Sequence, residues 1–330
     1  MAELYYDDAA DLSLVQDRNV AVLGYGGQGR AHALSLRDSG VDVRVGLPET
    51  STSRSRAQDE GLRVVNPYEA CEEADLIMVL APDPVQRALY TEAIAPNLVR
   101  GDALLFGHGF NVRYSFIRPP TEVDVCLVAP LGPGRLVRRQ FTEGKGVPVL
   151  VAVAQDASGG ALDLALSYAA AIGGTRAGAI RTTFAEETET ELFGAQAVRM
   201  GGVLSLVEAG FDTLTEVGYQ PEVAYFECLH ELKQVVDLLY EGGLSKLRSS
   251  ASPTAEYGGY LTGPRIVTEQ TRAELRQILA EVRDGSFANR WIDEYDAGLP
   301  NYKRSVDEHA AHPIEKTGAQ VRPMLSWLDD

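Results

Sequence analysis

Six short apolar runs, rich in β-branched residues, recur along the first half of the chain: Asn19 to Leu23, Val41 to Val45, Leu76 to Leu80, Ala103 to Phe106, Val123 to Val128 and Val149 to Val153. Between them, apolar positions fall at helical spacing. Alternation of this kind predicts βαβ units and a doubly wound parallel sheet. After Arg181 the rhythm changes. From Thr183 onward the chain offers long helical periodicities, such as Val223 to Tyr240 and Glu269 to Arg283, and few strand candidates. The expectation is an α/β Rossmann domain over residues 1–182 followed by an all-α domain over residues 183–330.

The first strand runs into "GYGGQGRAHAL", which places Gly24, Gly26 and Gly29 as GxGxxG between a strand and a helix. Gly24 permits a tight turn, Gly26 lets the backbone approach a pyrophosphate, and Gly29 allows close helix packing. The helix N-terminus attracts the anion. Gly24, Tyr25, Gly26, Gly27, Gln28 and Gly29 are therefore read as cofactor-binding. The second strand ends without the acidic residue that would bond a free ribose 2′-hydroxyl, and continues into "GLPETSTSRSR". Hydroxyls on Ser51, Thr52 and Ser53, with Arg54 and Arg56, suit a 2′-phosphate, and so NADPH over NADH. A polar loop with a helix cap is the plain alternative, and Glu49 weighs against a phosphate.

Charge and composition narrow the partners. A formal charge of −17 over 330 residues leaves no basic face for nucleic acid. Three scattered cysteines, Cys71, Cys126 and Cys228, read as reduced buried thiols rather than a disulfide frame or zinc site. The N-terminus lacks an export signal and no run of 18 apolar residues occurs, so the expectation is a cytoplasmic protein without a membrane span.

The stretches "LGYGGQG", "GHGFNV", "GPGRLVRR", "TTFAEETETELFG", "AYFECLHELKQVVDLLYEGG", "TAEYGGYLTGPR" and "GAQVRPMLSWL", spread over nearly the whole chain, resemble the class I ketol-acid reductoisomerases. The resemblance implies a Rossmann domain and a helical, knotted domain, assembled as a homodimer or larger homo-oligomer whose sites draw residues from both chains. It also implies a two-step reaction of branched-chain amino-acid biosynthesis. Two magnesium ions promote alkyl migration in a 2-hydroxy-3-keto acid, and NADPH then reduces the 2-keto acid formed.

By the same resemblance His108 in "GHGF" is the active-site histidine, near cofactor and proton path. Glu227 and Glu231, four apart on one helix face, are metal ligands, with Glu231 also counted as catalytic, and Ser252 bonds the substrate carboxylate. Without the resemblance, His108 reads as a turn histidine; the two glutamates would repel at that spacing unless a cation sits between them, a solvated face with Lys233 nearby being the plain alternative.

Several positions depart from the family pattern. Glu191 stands in place of the Asp that bridges both metals, Ala195 in place of a Glu ligand, and Leu131 in place of an active-site lysine. Pro253 follows Ser252 where Asn is usual, and Arg30 replaces a histidine and offers a phosphate contact. Glu191, Glu227 and Glu231 remain as metal ligands, enough for one divalent ion at most. These departures lead to a reading as an NADPH-dependent reductase of a 2-keto acid or imine, with magnesium-dependent isomerisation weakened or lost. The alternatives are a genuine ketol-acid reductoisomerase, a repurposed enzyme of secondary metabolism, and a non-catalytic nucleotide-binding protein.

Overall fold

In a computed structural model describing residues 2–328, the six apolar runs form the middle of one nine-stranded sheet. Its strands are β1 (Leu4–Tyr5), β2 (Asn19–Leu23), β3 (Asp42–Gly46), β4 (Arg63–Val65), β5 (Leu76–Val79), β6 (Ala103–Phe106), β7 (Asp124–Pro130), β8 (Val149–Gln155) and β9 (Ala179–Arg181). They lie in the order β1-β9-β8-β7-β6-β5-β2-β3-β4. The run from β4 to β7 is parallel, as is β8 with β9, whereas β7–β8 and β1–β9 are antiparallel. The α/β expectation holds, with those two antiparallel pairings added.

Alternate residues of each strand enter opposite faces, the two-residue period of a pleated strand. Val20 and Val22 join one apolar cluster with Leu36, Met78 and Leu105. Ala21 and Leu23 join another with Val79, Leu104 and Phe106. Fully burying a side chain such as Leu23 or Phe106 contributes about 1.5–3 kcal/mol.

Register decides where the chemistry goes. Leu23 of β2 lies opposite Gly46 of β3 and Val79 of β5, Val79 opposite Phe106 of β6, and Phe106 opposite Leu127 of β7. The carboxyl ends of these parallel strands therefore share one edge. The chain builds outward from β2 through β3 to β4 and then returns to β5, so strand order reverses beside β2. That reversal is where open α/β sheets bind ligands.

The chain forms two compact units, one ending at Thr190 and the other beginning at Glu191. The division falls inside the Phe184–Phe193 helix, whereas residues 182 and 183 lie just ahead of it. That helix opens with the Glu186 N–H donating to Thr183 Oγ1 at 3.0 Å.

The described part of the second unit contains helices and no strand. Glu269–Arg283 is one helix, as expected. Val223 to Tyr240 is instead divided among a Pro221–Tyr225 helix, a π-helical turn Phe226–His230 and the Glu231–Ser250 helix. The last of these breaks at Gly242–Gly243, where Gly243 has a φ of +68° that glycine tolerates. This unit buries Val207, Phe211, Ala224, Tyr225, Ile314 and Val321 together. It leaves Val235, Val236, Tyr240, Leu244, Tyr257, Tyr260 and Leu261 exposed.

No described helix is long and apolar enough to cross a membrane. Cys71 and Cys126 are buried and unbridged. Burial pushes the Cys71 thiol up to about 12 and raises that of Cys126 as well, which keeps both unreactive.

Candidate active site

The turn after β2 imposes three different demands on its glycines. Gly24 has a φ of +107°, and a Cβ there would sit 2.8 Å from the Leu80 carbonyl oxygen. A Cβ on Gly29 would lie 2.1 Å from the Gly24 carbonyl oxygen. One on Gly26 would meet nothing within 4 Å. The first and third positions are closed by the protein's own backbone, while the second faces open space at the N-terminus of the Gly27–Asp38 helix. That combination fits a pyrophosphate held by backbone N–H groups. Gln28 ties this turn to the loop after β7, its Nε2 donating to the Gly132 carbonyl at 2.7 Å.

Arg54 Nη1 donates to the backbone carbonyls of Leu47 at 2.6 Å and Val65 at 3.4 Å. It secures the loop after β3. Ser51 Oγ accepts from the Ser53 N–H at 3.3 Å, and Ser53 begins the Arg54–Asp59 helix. Arg30, expected to add a phosphate contact, is instead held by Glu60, with Nε at 2.8 Å and Nη2 at 2.6 Å from Oε1. The buried Tyr25 hydroxyl donates to Oε2 of the same glutamate at 2.6 Å. Arg56 is the exposed cation of this loop, its Nε 3.8 Å from Glu60 Oε1.

His108 follows β6 at the shared edge, and its Nδ1 lies 3.1 Å from Asp83 Oδ2. A carboxylate only accepts, so Nδ1 carries the hydrogen. Asp83 itself opens the Asp83–Leu89 helix after β5. Two further bonds fix the turn: the Gly109 N–H donates to Glu187 Oε2 at 2.9 Å, and the buried Asn111 donates from Nδ2 to the Asp83 carbonyl at 3.0 Å. Sequence reading passed over both acids. Asp83 follows a strand's carboxyl end, which is a usable signal, whereas Glu187 sits in an acidic run that helix capping already explains.

Leu131 lies on the loop after β7 and is 52% exposed, its N–H donating to the Pro148 carbonyl at 2.8 Å. A Cβ on Gly134 would fall 2.0 Å from the Gly27 carbonyl oxygen, so this loop packs backbone to backbone against the glycine turn.

In the second unit Glu191, Ala195 and Arg199 follow one another at four-residue intervals, across the end of the Phe184–Phe193 helix and a π-helical turn, Gly194–Met200. Arg199 Nη2 donates to Glu191 Oε1 at 2.8 Å and approaches its backbone carbonyl at 3.3 Å. An exposed ion pair of this kind adds at most about 1 kcal/mol to stability. Its consequence is electrostatic.

Glu227 is on the Phe226–His230 turn and Glu231 begins the following helix; both are exposed. Glu231 Oε1 accepts from Gln234 Nε2 at 3.3 Å. Ser252 Oγ accepts from the Ala255 N–H at 3.2 Å and so caps the Pro253–Ile266 helix. Pro253 occupies that helix's first position, where the missing N–H has no partner to lose, which accounts for the departure.

The residues at 191 and 195 do not fit the family's pair of magnesium ligands. Ala195 carries no donor, and Glu191 is paired with a guanidinium. Among the described residues of the chain, no three His, Cys, Asp or Glu side chains gather closely enough to hold an ion.

Comparison with known proteins accounts for the whole chain. Residues 14–178 match the family description "Acetohydroxy acid isomeroreductase, NADPH-binding domain", and residues 184–327 match "Ketol-acid reductoisomerase, C-terminal domain". A ketol-acid reductoisomerase (NADP(+)) of Saccharopolyspora erythraea is 61% identical over 325 residues, covering 98% of each chain. That of Renibacterium salmoninarum is 61% identical over 330 residues, covering 100% of this chain and 97% of the relative. A solved NADH-preferring ketol-acid reductoisomerase from an uncultured archaeon superposes with a TM-score of 0.93 at 42% identity, over 97% of this chain and 98% of that one. With both halves matched and the relatives covered almost end to end, the chain belongs to the ketol-acid reductoisomerase family.

Proposed function

We propose that the protein is an NADPH-dependent oxidoreductase that reduces the 2-keto acids on which ketol-acid reductoisomerases act. The observation that carries this reading is an intact glycine cradle in a chain 61% identical, over its whole length, to NADP-dependent relatives. Bound NADPH supplies the hydride. The chain's residues do the rest. The glycine turn holds the pyrophosphate, Gln28 fixes that turn to the neighbouring loop, and Asp83 orients His108 so that Nε2 is the ring atom able to exchange a proton with the developing alkoxide through water. Glu187 and Asn111 keep the histidine turn from moving.

Two finer readings share this reduction. Complete isomeroreduction, as in branched-chain amino-acid biosynthesis, is supported by what the relatives are; it was the alternative at the level of sequence, and the comparisons favour it over the weakened enzyme. Reduction with migration lost is supported by this chain's own residues: Leu131, Ala195 and the Arg199 guanidinium on Glu191. We further propose a homodimer, on the strength of the exposed apolar side chains of the helical unit.

NADPH absorbance decides between the readings. The purified protein is offered 2-acetolactate or its isomerised partner, 3-hydroxy-3-methyl-2-oxobutanoate, each with and without magnesium. Oxidation with the isomerised acid is expected in either finer reading. Magnesium-dependent oxidation with 2-acetolactate selects the complete reaction, and its absence selects reduction alone. No oxidation with either acid overturns the proposal.

A further inference from the structure

A bond between side chains eight residues apart on a helix spans two turns, about 12 Å of rise in α-geometry. It requires long side chains at both ends and nothing in between. Glu191 and Arg199 meet both conditions. Glutamate reaches one methylene further than the aspartate of the family pattern, and arginine is the longest basic side chain. Ala195, four residues from each, leaves the path between them clear. A glutamate at 195 would itself be the nearer partner for the guanidinium, by ordinary i, i+4 pairing. The π-helical turn Gly194–Met200 carries the arginine, and such turns often lie at functional sites. Two departures that look like separate defects in a metal centre, Glu191 and Ala195, thus form one arrangement with Arg199, closed by the 2.8 Å contact.

We propose that the Arg199 guanidinium supplies, at Glu191, the positive charge that a divalent ion supplies in the family centre, so that this protein holds no such ion there. The inference builds on the second of the finer readings and identifies what replaces the metal. A divalent ion approaching Glu191 Oε1 meets a like charge bonded to the same oxygen, which it must displace before it can ligate there. Restoring the family residues at 131, 191 and 195 alone should therefore leave metal affinity low, because Arg199 would pair with the restored carboxylate at 195.

Manganese chloride is the probe, followed by the amplitude of the free-ion electron paramagnetic resonance signal, with full-length protein and NADPH. The native protein should leave that signal undiminished at equimolar metal. Arg199→Met should begin to bind manganese, and Ala195→Glu combined with Arg199→Met should bind at least tenfold more tightly than Ala195→Glu alone. Circular dichroism confirms that the variants fold, and Arg199→Met, which removes only an exposed pair, keeps the test available if the double variant does not.

Native protein that binds manganese with an affinity lowered by Glu191→Gln overturns the proposal, as does failure of every Arg199 variant to gain any binding. The readout is the metal's own signal. Loss of the functional reading, seen as no NADPH oxidation with either acid, is therefore separable from loss of this one.

Discussion

Arg54 and Arg56 are two residues apart and look equivalent in the sequence, yet the structure gives them different tasks. Arg54 supplies hydrogen bonds to the Leu47 and Val65 carbonyls, whereas Arg56 is exposed beside Glu60. Arg56→Ala should therefore raise the KM for NADPH about tenfold while barely altering that for NADH, because only the former carries a 2′-phosphate. Arg54→Ala should instead lower the Tm, with little cofactor discrimination; steady-state kinetics with both nucleotides and a thermal melt distinguish the two. A larger NADPH effect from Arg54 than from Arg56 would reverse the assignment. The reading of this loop as a cofactor loop was legible in its serines and arginines. Which arginine faces out was not, because the direction depends on carbonyls contributed by β3 and β4. Glu60 shows the same limit: nothing in sequence links it to Tyr25 and Arg30, yet the Arg30 hydrogen bond holds its carboxyl below the usual carboxylate range. The stability this cluster adds is present at neutral pH and is lost as pH falls through that lowered value.

At the level of elements, the strand–turn–helix around Gly24 to Gly29 yields a contrast between two alanine substitutions. Gly26→Ala adds a methyl that meets no protein atom, so the fold should keep its Tm within a degree or two while NADPH affinity falls at least tenfold. Gly29→Ala drives a methyl onto the Gly24 carbonyl and should cost both stability and binding. Fluorescence titration of NADPH beside a thermal melt reads both quantities, and equal destabilisation by the two would refute the division of roles. The six apolar runs gave the central strands to within a residue or two. The outer strands β1, β4 and β9, two or three residues long, are too short to show a period. The π-helical turns escaped for another reason: a single extra residue per turn leaves the apolar spacing almost unaltered.

For the whole molecule, a charge of −17 coexists with a helical unit whose apolar residues remain exposed, Tyr240 at 90% among them. Monomers seldom keep such surface open to water. Light scattering should give a mass near twice 35.7 kDa, and Tyr240→Glu with Leu244→Glu should shift it toward the monomer and remove NADPH oxidation. A monomeric native protein with full activity would refute the dimer. The family and its cofactor half could be read from residues. The ion pair at Glu191 could not, since no motif marks an arginine two turns away as its partner.

The contact of Gly134 with Gly27 has one more consequence. Because the loop after β7 is clamped at its glycines and by Gln28, its backbone cannot shift to suit a new side chain, and at position 131, exposed at the rim, it need not. The charge carried at residue 131 can thus be rewritten without redrawing the nucleotide fold, and such a change requires one codon rather than a remodelled scaffold.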